Sequence, residues 1–301
     1  MSNRALTFLR RLLRFRLRTL LLAVLVISVA LGIYVKRAKQ QQQSVAAIKR
    51  LGGWAYYDYQ LKDDNVDLQG ESWVPAWLRS KLGDDYFHTV VHVNMVYNDD
   101  SGKQIQNPNM SDEILSHLDG LPRLEMLLLH GKQASDAGLA KVGRLANLRM
   151  LYIWNGTNVT DAGVAHLAGC RRLEYLHLSE SKLGDDGMRV LSELPRLRKL
   201  SLQGNFLTDA GLAHAGKMRQ IESLWIGETG FRNRLITDAG VAHLAKLPKL
   251  EELDLQSTAV TDAGLVHLER MQSLKYLYLD GSKVSDTSRL QAALPGCKVD
   301  Q

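Results

Sequence analysis

The feature that most constrains this chain is a unit of about 24 residues that returns along its C-terminal two thirds. Aligned on the aliphatic residue that opens each copy, the units begin at Leu124, Leu148, Leu173, Leu197, Ile221, Leu250 and Leu274, in steps of 24, 25, 24, 24, 29 and 24 residues. The long step holds an insertion around Gly230 to Leu235. Two well-kept copies are LPKLEELDLQSTAVTDAGLVHL from Leu247 and LANLRMLYIWNGTNVTDAGVAHL from Leu145. A chain built this way folds by stacking one supersecondary unit on the next, because no single unit can bury its own apolar face.

Each unit divides into a strand, a turn and a short helix. In the copy from Leu250, Leu253 and Leu255 alternate with Glu252 and Asp254, the period of a strand with one buried face. The turn that follows carries Thr258, Ser181, Ser282, Asn205 or Thr157, short side chains able to bond nearby backbone groups. Thr160, Thr208, Thr237, Thr261, Ser135 and Ser285 each precede an Asp, which predicts a helix N-cap with a carboxylate at the positive helix end. Val164 and Leu167, or Leu265 and Leu268, lie three apart and share a helix face with the core. The fold expected is an α/β solenoid with a parallel sheet on the concave side and short helices on the convex side.

This pattern resembles the leucine-rich-repeat family, in particular bacterial proteins with T-D-A-G-L repeats, and more distantly the cysteine-containing repeats of F-box proteins. The resemblance runs from about Tyr86 to the C-terminus across seven copies. The segments AIKRLGGWAYYDYQ, PAWLRSKLGDDYF and LPGCKVD, together with an arginine-rich start, are similar to membrane-anchored bacterial members. For these the resemblance implies a fold more than a function.

The N-terminus reads as a membrane segment. Residues 19–35, TLLLAVLVISVALGIYV, carry no charge and span about 25 Å as a helix. Arg4, Arg10, Arg11, Arg14, Arg16 and Arg18 precede it, against Lys36, Arg37 and Lys39 after it, so the positive-inside rule places the N-terminus in the cytoplasm and the repeats outside. Ser28-Val29-Ala30 offers the competing reading of a cleaved signal peptide, but the apolar run continues past it. The expected organisation is a basic cytoplasmic tail at 1–18, an anchor at 19–35, a polar linker at 36–43, an N-terminal cap at 44–85 and the array at 86–301. Within the cap, Val45 to Leu51 and Trp73 to Leu82 read as short helices and Trp54 to Tyr59 as a strand. Thr89 to Tyr97, with residues 110–118, reads as a degenerate first repeat with an enlarged turn, and Leu294 to Val299 as a closing strand.

The net charge of +6 first suggests nucleic acid, but its position excludes that. Nine basic and no acidic residues fall within 1–39, leaving 29 basic against 32 acidic groups in the rest of the chain. A mildly acidic array has no general attraction for phosphate, and the basic cluster suits a membrane surface. No phosphate loop, zinc-protease motif, nucleophile elbow or paired-cysteine motif is present, so the chain reads as no enzyme, with no cofactor and no metal. Cys170 fills a slot taken by leucine in other copies and Cys297 takes a strand leucine slot. At about 24 Å apart over five coils they are free thiols. His117, His166, His214, His243 and His267 recur at one convex slot and read as surface residues, and the acceptor-like Asn155-Gly-Thr157 and Asn158-Val-Thr160 follow from the repeat itself.

Function is sought on the strand positions that point away from the core, because these escape the repeat pattern. In chain order they are Met126, Leu128 and His130; Met150, Tyr152 and Trp154; Tyr175, His177 and Ser179; Lys199, Ser201 and Gln203; Ser223, Trp225 and Gly227; Glu252, Asp254 and Gln256; and Tyr276, Tyr278 and Asp280. Exposed strand faces are usually polar, whereas Met, Leu, Tyr and Trp gather over the first three of these coils. Such side chains anchor interfaces. The expectation is a membrane-anchored, non-enzymatic scaffold whose concave face binds a protein, a peptide or a glycan. The alternatives are a substrate adaptor of a ubiquitin-type ligase, which needs a cytoplasmic array and a helical module before it, and a hydrolase built on the insertions at 98–109 and 230–235. A structural alternative holds that the rings pair across strands and stabilise the sheet.

Overall fold

The computed structural model describes residues 3–98, 104–105, 112–130, 134–227 and 235–301. Its first element is a single helix, α1 (Asn3–Arg50). The apolar stretch within it is exposed through Tyr34, and the helix is long and apolar enough to cross a membrane. The polar linker expected at 36–43 is therefore replaced by uninterrupted helix. Glutamine is a good helix former, and Gln41 is buried rather than solvated. The helix expected from Val45 is the end of α1, stopped by Gly52 at φ +82°.

The segment expected to form a cap continues with β1 (Trp54–Tyr57), a small hairpin of β2 (Leu61–Lys62) and β3 (Asn65–Val66), and α2 (Ala76–Leu82). The strand read at 54–59 stops at Tyr57, where a 3-10 turn over Asp58–Gln60 takes over. β4 (Val90–Asn94) opens the array, followed by the small pair β5 (Tyr97–Asn98) and β6 (Gln104–Ile105) and by α3 (Asp112–Ser116). The insertions at 98–109 and 230–235 lie largely outside the described residues.

The repeats then alternate as expected. Strands β7 (Met126–His130), β8 (Met150–Trp154), β9 (Tyr175–Leu178), β10 (Lys199–Ser201), β11 (Ser223–Trp225), β12 (Glu252–Asp254), β13 (Tyr276–Tyr278) and β14 (Lys298–Asp300) run parallel in chain order. Helices α4 (Asp136–Val142), α5 (Asp161–Ala165), α6 (Asp185–Ser192), α7 (Asp209–Ala215), α8 (Asp238–Leu244), α9 (Asp262–Leu268) and α10 (Ser288–Ala293) face them. Among the described residues the sheet has ten strands, and β1 pairs antiparallel with β4 at its N-terminal edge. One continuous core lies between strands and helices, with Leu127, Leu151, Leu176, Leu200, Leu224, Leu253 and Leu277 in register across seven strands. Cys170 is fully buried in it, while Cys297, partly buried, repeats with Leu294 the turn that Leu274 makes with Met271. Both thiols are free.

The T-D-A-G motif owes more to contacts between coils than to helix capping. Thr160, Thr208, Thr237, Thr261 and Ser135 do accept a hydrogen bond from the N–H two residues on, as N-caps should. Ser285 does not, since α10 starts three residues later. Each motif Asp except Asp286, which accepts from Ser288 N–H in its own coil (2.9 Å), reaches one coil forward. Asp136 accepts from Thr160 N–H (2.8 Å) and Oγ1–H (2.7 Å), Asp185 from Thr208 (2.9 and 2.6 Å), Asp209 from Thr237 (2.8 and 2.6 Å) and Asp238 from Thr261 (2.8 and 2.7 Å). The motif Gly is where that carboxylate lies: a Cβ on Gly211 would stand 2.4 Å from Asp185 Oδ1, and one on Gly163 2.2 Å from Asp136 Oδ1. Asn205 plays a similar part in the turn layer, donating to the carbonyls of Leu178 (2.8 Å) and Leu202 (2.9 Å).

Candidate binding face

Parallel register fixes which outward residues are neighbours. One row runs His92, Met126, Met150, Tyr175, Lys199, Ser223, Glu252, Tyr276 and Lys298; the next runs Asn94, Leu128, Tyr152, His177, Ser201, Trp225, Asp254, Tyr278 and Asp300. His130 stands opposite Trp154 in a third row.

Over the first coils the rings come together. Tyr152 stacks on Trp154 (centroids 5.2 Å, planes 20° apart) and on Tyr175 (4.6 Å, 25°). His177 lies 5.4 Å from Trp154, and Trp225 lies 6.4 Å from Tyr175. All five side chains are half-buried, so the rings cover one another while keeping a face to solvent. Met150, Leu128 and His130, also half-buried, border this patch, and Met126, beside Met150 in the first row, is 8% exposed. Tyr276 and Tyr278 sit two strands beyond Trp225 and do not join it: Lys298 covers the Tyr276 ring, and the Tyr278 hydroxyl donates to Glu252 (3.4 Å).

Asp254 is on the concave side as expected but is 3% exposed. It accepts from Gln203 Nε2 (2.9 Å) and Gln256 N–H (2.9 Å), and Gly227 leaves room for it, since a Cβ there would be 2.3 Å from its Oδ1. Burial raises its pKa above the usual carboxylate range. Asp254 thus reads as a floor residue of the polar half of the face. Burial also sets the ring patch's charge state: His177 is lowered to about 4, and Tyr175 is raised to about 12 by burial with help from Tyr152 and Glu252. At neutral pH the patch is uncharged.

Two features of this face escaped the sequence reading. His92, in the degenerate first repeat, extends the first row, is 4% exposed and has no hydrogen-bond partner on either ring nitrogen. It packs 5.1 Å from the Tyr56 ring of β1, and burial lowers it to about 4. The second is a charged rim at the strand starts, where Arg149 meets Glu174 (3.1 Å) and also Asp64 of the cap hairpin (2.9 Å). Alternating charge at residues 125, 149 and 174 is visible in the sequence, but the approach of residue 64 is not. The recurring histidines are convex: His166, His243 and His267 are exposed, while His117 and His214 are half-buried.

A family model described as leucine rich repeat matches residues 146–207, and a second leucine-rich-repeat model matches residues 246–268. No curated protein matches the chain. Among solved structures it is similar to an internalin C2 of Listeria monocytogenes, with 24% identity and a TM-score of 0.45, over 55% of this chain and 65% of that one. An internalin F of the same organism matches with 20% identity and a TM-score of 0.32, over 62% of this chain and 69% of that one. Taken with the stacked coils described above, the two family matches show that residues 146–207 and 246–268 carry leucine-rich repeats, set in a parallel-sheet solenoid of that fold.

Proposed function

We propose that the chain is a non-enzymatic scaffold, anchored in a membrane by residues 19–35 with its N-terminus in the cytoplasm, whose concave face recognises a protein or peptide. The observation that carries this is the uncharged ring patch of Tyr152, Trp154, Tyr175, His177 and Trp225, half exposed on the open side of a sheet. Rigid, partly desolvated Tyr and Trp side chains are the usual anchors of protein interfaces. The arginine excess before the apolar stretch supports the orientation, and the mildly acidic array gives no support to a nucleic-acid partner.

Proteins captured by the full-length chain in detergent should be compared with those captured by the Tyr152→Ser, Trp154→Ser double variant. Interface anchors are worth about 2 kcal/mol or more each, whereas a lost ring pair costs the fold about 1 kcal/mol. Partners held by the wild type should therefore be lost at a small cost in stability. If the double variant melts far lower yet keeps the same partners, the rings serve the sheet and the reading fails.

A further inference from the structure

The helix that carries the apolar stretch does not leave that stretch before meeting the folded body. Val35, its last residue, is already partly covered by protein, and Ala38, one turn on, is 5% exposed. Ile33 and Tyr34, just before, remain half exposed. The body therefore begins at the level where the apolar stretch ends, with no spacer to hold it away from a bilayer.

The part of the cap fastened at this level is the segment around α2. Gln41, about 9 Å along the axis from Val35, donates to Asp85 Oδ1 (3.1 Å) and to the His88 carbonyl (2.9 Å). Gly83, which ends α2, lies beside Gln42, and the His88 ring is 6.2 Å from the ring of Trp73. On this segment Trp73 is 79% exposed, Trp77 64% and Leu82 47%. A soluble surface rarely leaves three large apolar side chains uncovered within ten residues. Tryptophan, with an apolar body and one N–H, is the side chain most at home at the boundary between lipid and water. Lys81 stands 6.0 Å from the Trp77 ring, and Lys36, Arg37 and Lys39 are exposed on the adjoining turns of α1, which suits anionic headgroups.

We infer that Trp73, Trp77 and Leu82 enter the headgroup boundary of the same bilayer that α1 spans, so that the cap is a second, interfacial membrane contact and the array is seated on lipid. This rests on the membrane anchoring proposed above. With the helix unbroken through residue 50 and its far end packed into the cap, two contacts of this kind fix the tilt of the array against the membrane.

The five tryptophans make the test direct. Full-length protein is reconstituted into phosphatidylcholine and phosphatidylglycerol vesicles, with and without acyl-brominated lipid, and tryptophan fluorescence is read. One variant keeps Trp73 and Trp77 (Trp54→Phe, Trp154→Phe, Trp225→Phe), and a second keeps Trp225 alone. A depth standard carries Tyr34→Trp with all five native tryptophans replaced by Phe. Bromine should lower the emission of the first variant and of the standard at least about twofold and leave Trp225 unchanged. A quenched standard with unquenched Trp73 and Trp77, the result expected if a protein covers the cap instead, overturns the inference and leaves the anchoring intact. An unquenched standard overturns both. Should the tryptophan-depleted chains fail to fold, a nitroxide on Leu82→Cys in a Cys297→Ser background answers the same question. It should collide more with oxygen than with a water-soluble nickel chelate, and the reverse ratio refutes the seat.

Discussion

Replacing Asp185 by alanine tests whether the repeat motif is a device for joining coils. Its carboxylate accepts the N–H and the hydroxyl of Thr208, one coil on, at 2.9 and 2.6 Å. Hydrogen bonds to an ionised acceptor contribute about 1.5 to 3 kcal/mol each when buried. Both partners here are partly exposed, so about 3 kcal/mol for the pair is a fair expectation, or a fall in melting temperature of about 6 to 12 °C for an array of this size. The neighbouring Asp186, exposed and only 3.9 Å from Arg189, should cost less than about 0.5 kcal/mol when replaced. The sharper arm is Gly211→Ala. In the wild type its new methyl would stand 2.4 Å from Asp185 Oδ1 and should destabilise by about 2 kcal/mol or more. With Asp185→Ala already present only the flexible Leu207 side chain crowds the new methyl, its Cδ2 at 3.1 Å, and the better helix propensity of alanine offsets part of that, so the second change should cost much less than in the wild type. Urea unfolding of the four proteins, followed by far-ultraviolet circular dichroism, gives the coupling as a double-mutant cycle. Additive effects, or an Asp185→Ala cost no larger than that of Asp186→Ala, would refute the account.

Other expectations follow from burial. His177, held near 4 against an ordinary 6.5, binds its proton more weakly folded than unfolded. Its stabilisation is therefore complete above about 6.5 and is lost as pH falls toward 4, by at most about 3 kcal/mol, with His92 adding in the same sense. His177→Gln should flatten this slope in denaturation curves at pH 7 and 4.5, and an unchanged slope would assign it elsewhere. Burial raises the Cys170 thiol to about 12 and leaves the side chain fully covered, so native alkylation should modify Cys297 alone. Intact mass should show a second adduct on denaturation; two adducts in the native protein would place Cys170 at the surface. Gln41 accepts the Val90 N–H (3.1 Å) while donating to the His88 carbonyl, so Gln41→Leu leaves buried backbone groups unpaired. A loss of about 1 to 3 kcal/mol is expected, together with faster amide exchange in β4. Unchanged protection there would mean that α1 is not structurally joined to the array.

The sequence made the coil legible because period, apolar alternation and turn chemistry all state the same unit, and the outward positions of each strand fall where that unit puts them. The ring patch was legible for the same reason. What the reading assigned to the wrong partner was the motif Asp: a carboxylate next to a helix start looks like a cap, while its true partners lie 23 to 28 residues on, a separation no local rule addresses. The linker at 36–43 failed because four glutamines look solvated in one dimension, and only the cap's approach shows that Gln41 faces Asp85 and His88. His92 was overlooked because its repeat is degenerate, and Asp254 was overvalued because alternation gives the side of a sheet but not the depth at which a carboxylate lies.

The forward reach of the motif Asp has a consequence for assembly. From Asp136 to Asp262 each motif carboxylate accepts from the next coil's backbone N–H, joined by a hydroxyl everywhere but at Gly184, so the contact between coils is head-to-tail and does not close on itself. Such a contact, repeated without limit, builds a filament. The two edges of the described sheet meet this risk in different ways. At the start, β1 runs antiparallel to β4, so the edge offered outward has the wrong polarity for another array's parallel strand, and α1 lies against the same end. At the finish, β14 is three residues long with Lys298 and Asp300 exposed, a short charged edge that gives an incoming strand little to pair with. Both described edges of the sheet thus discourage the end-to-end stacking of arrays that a head-to-tail contact would otherwise permit.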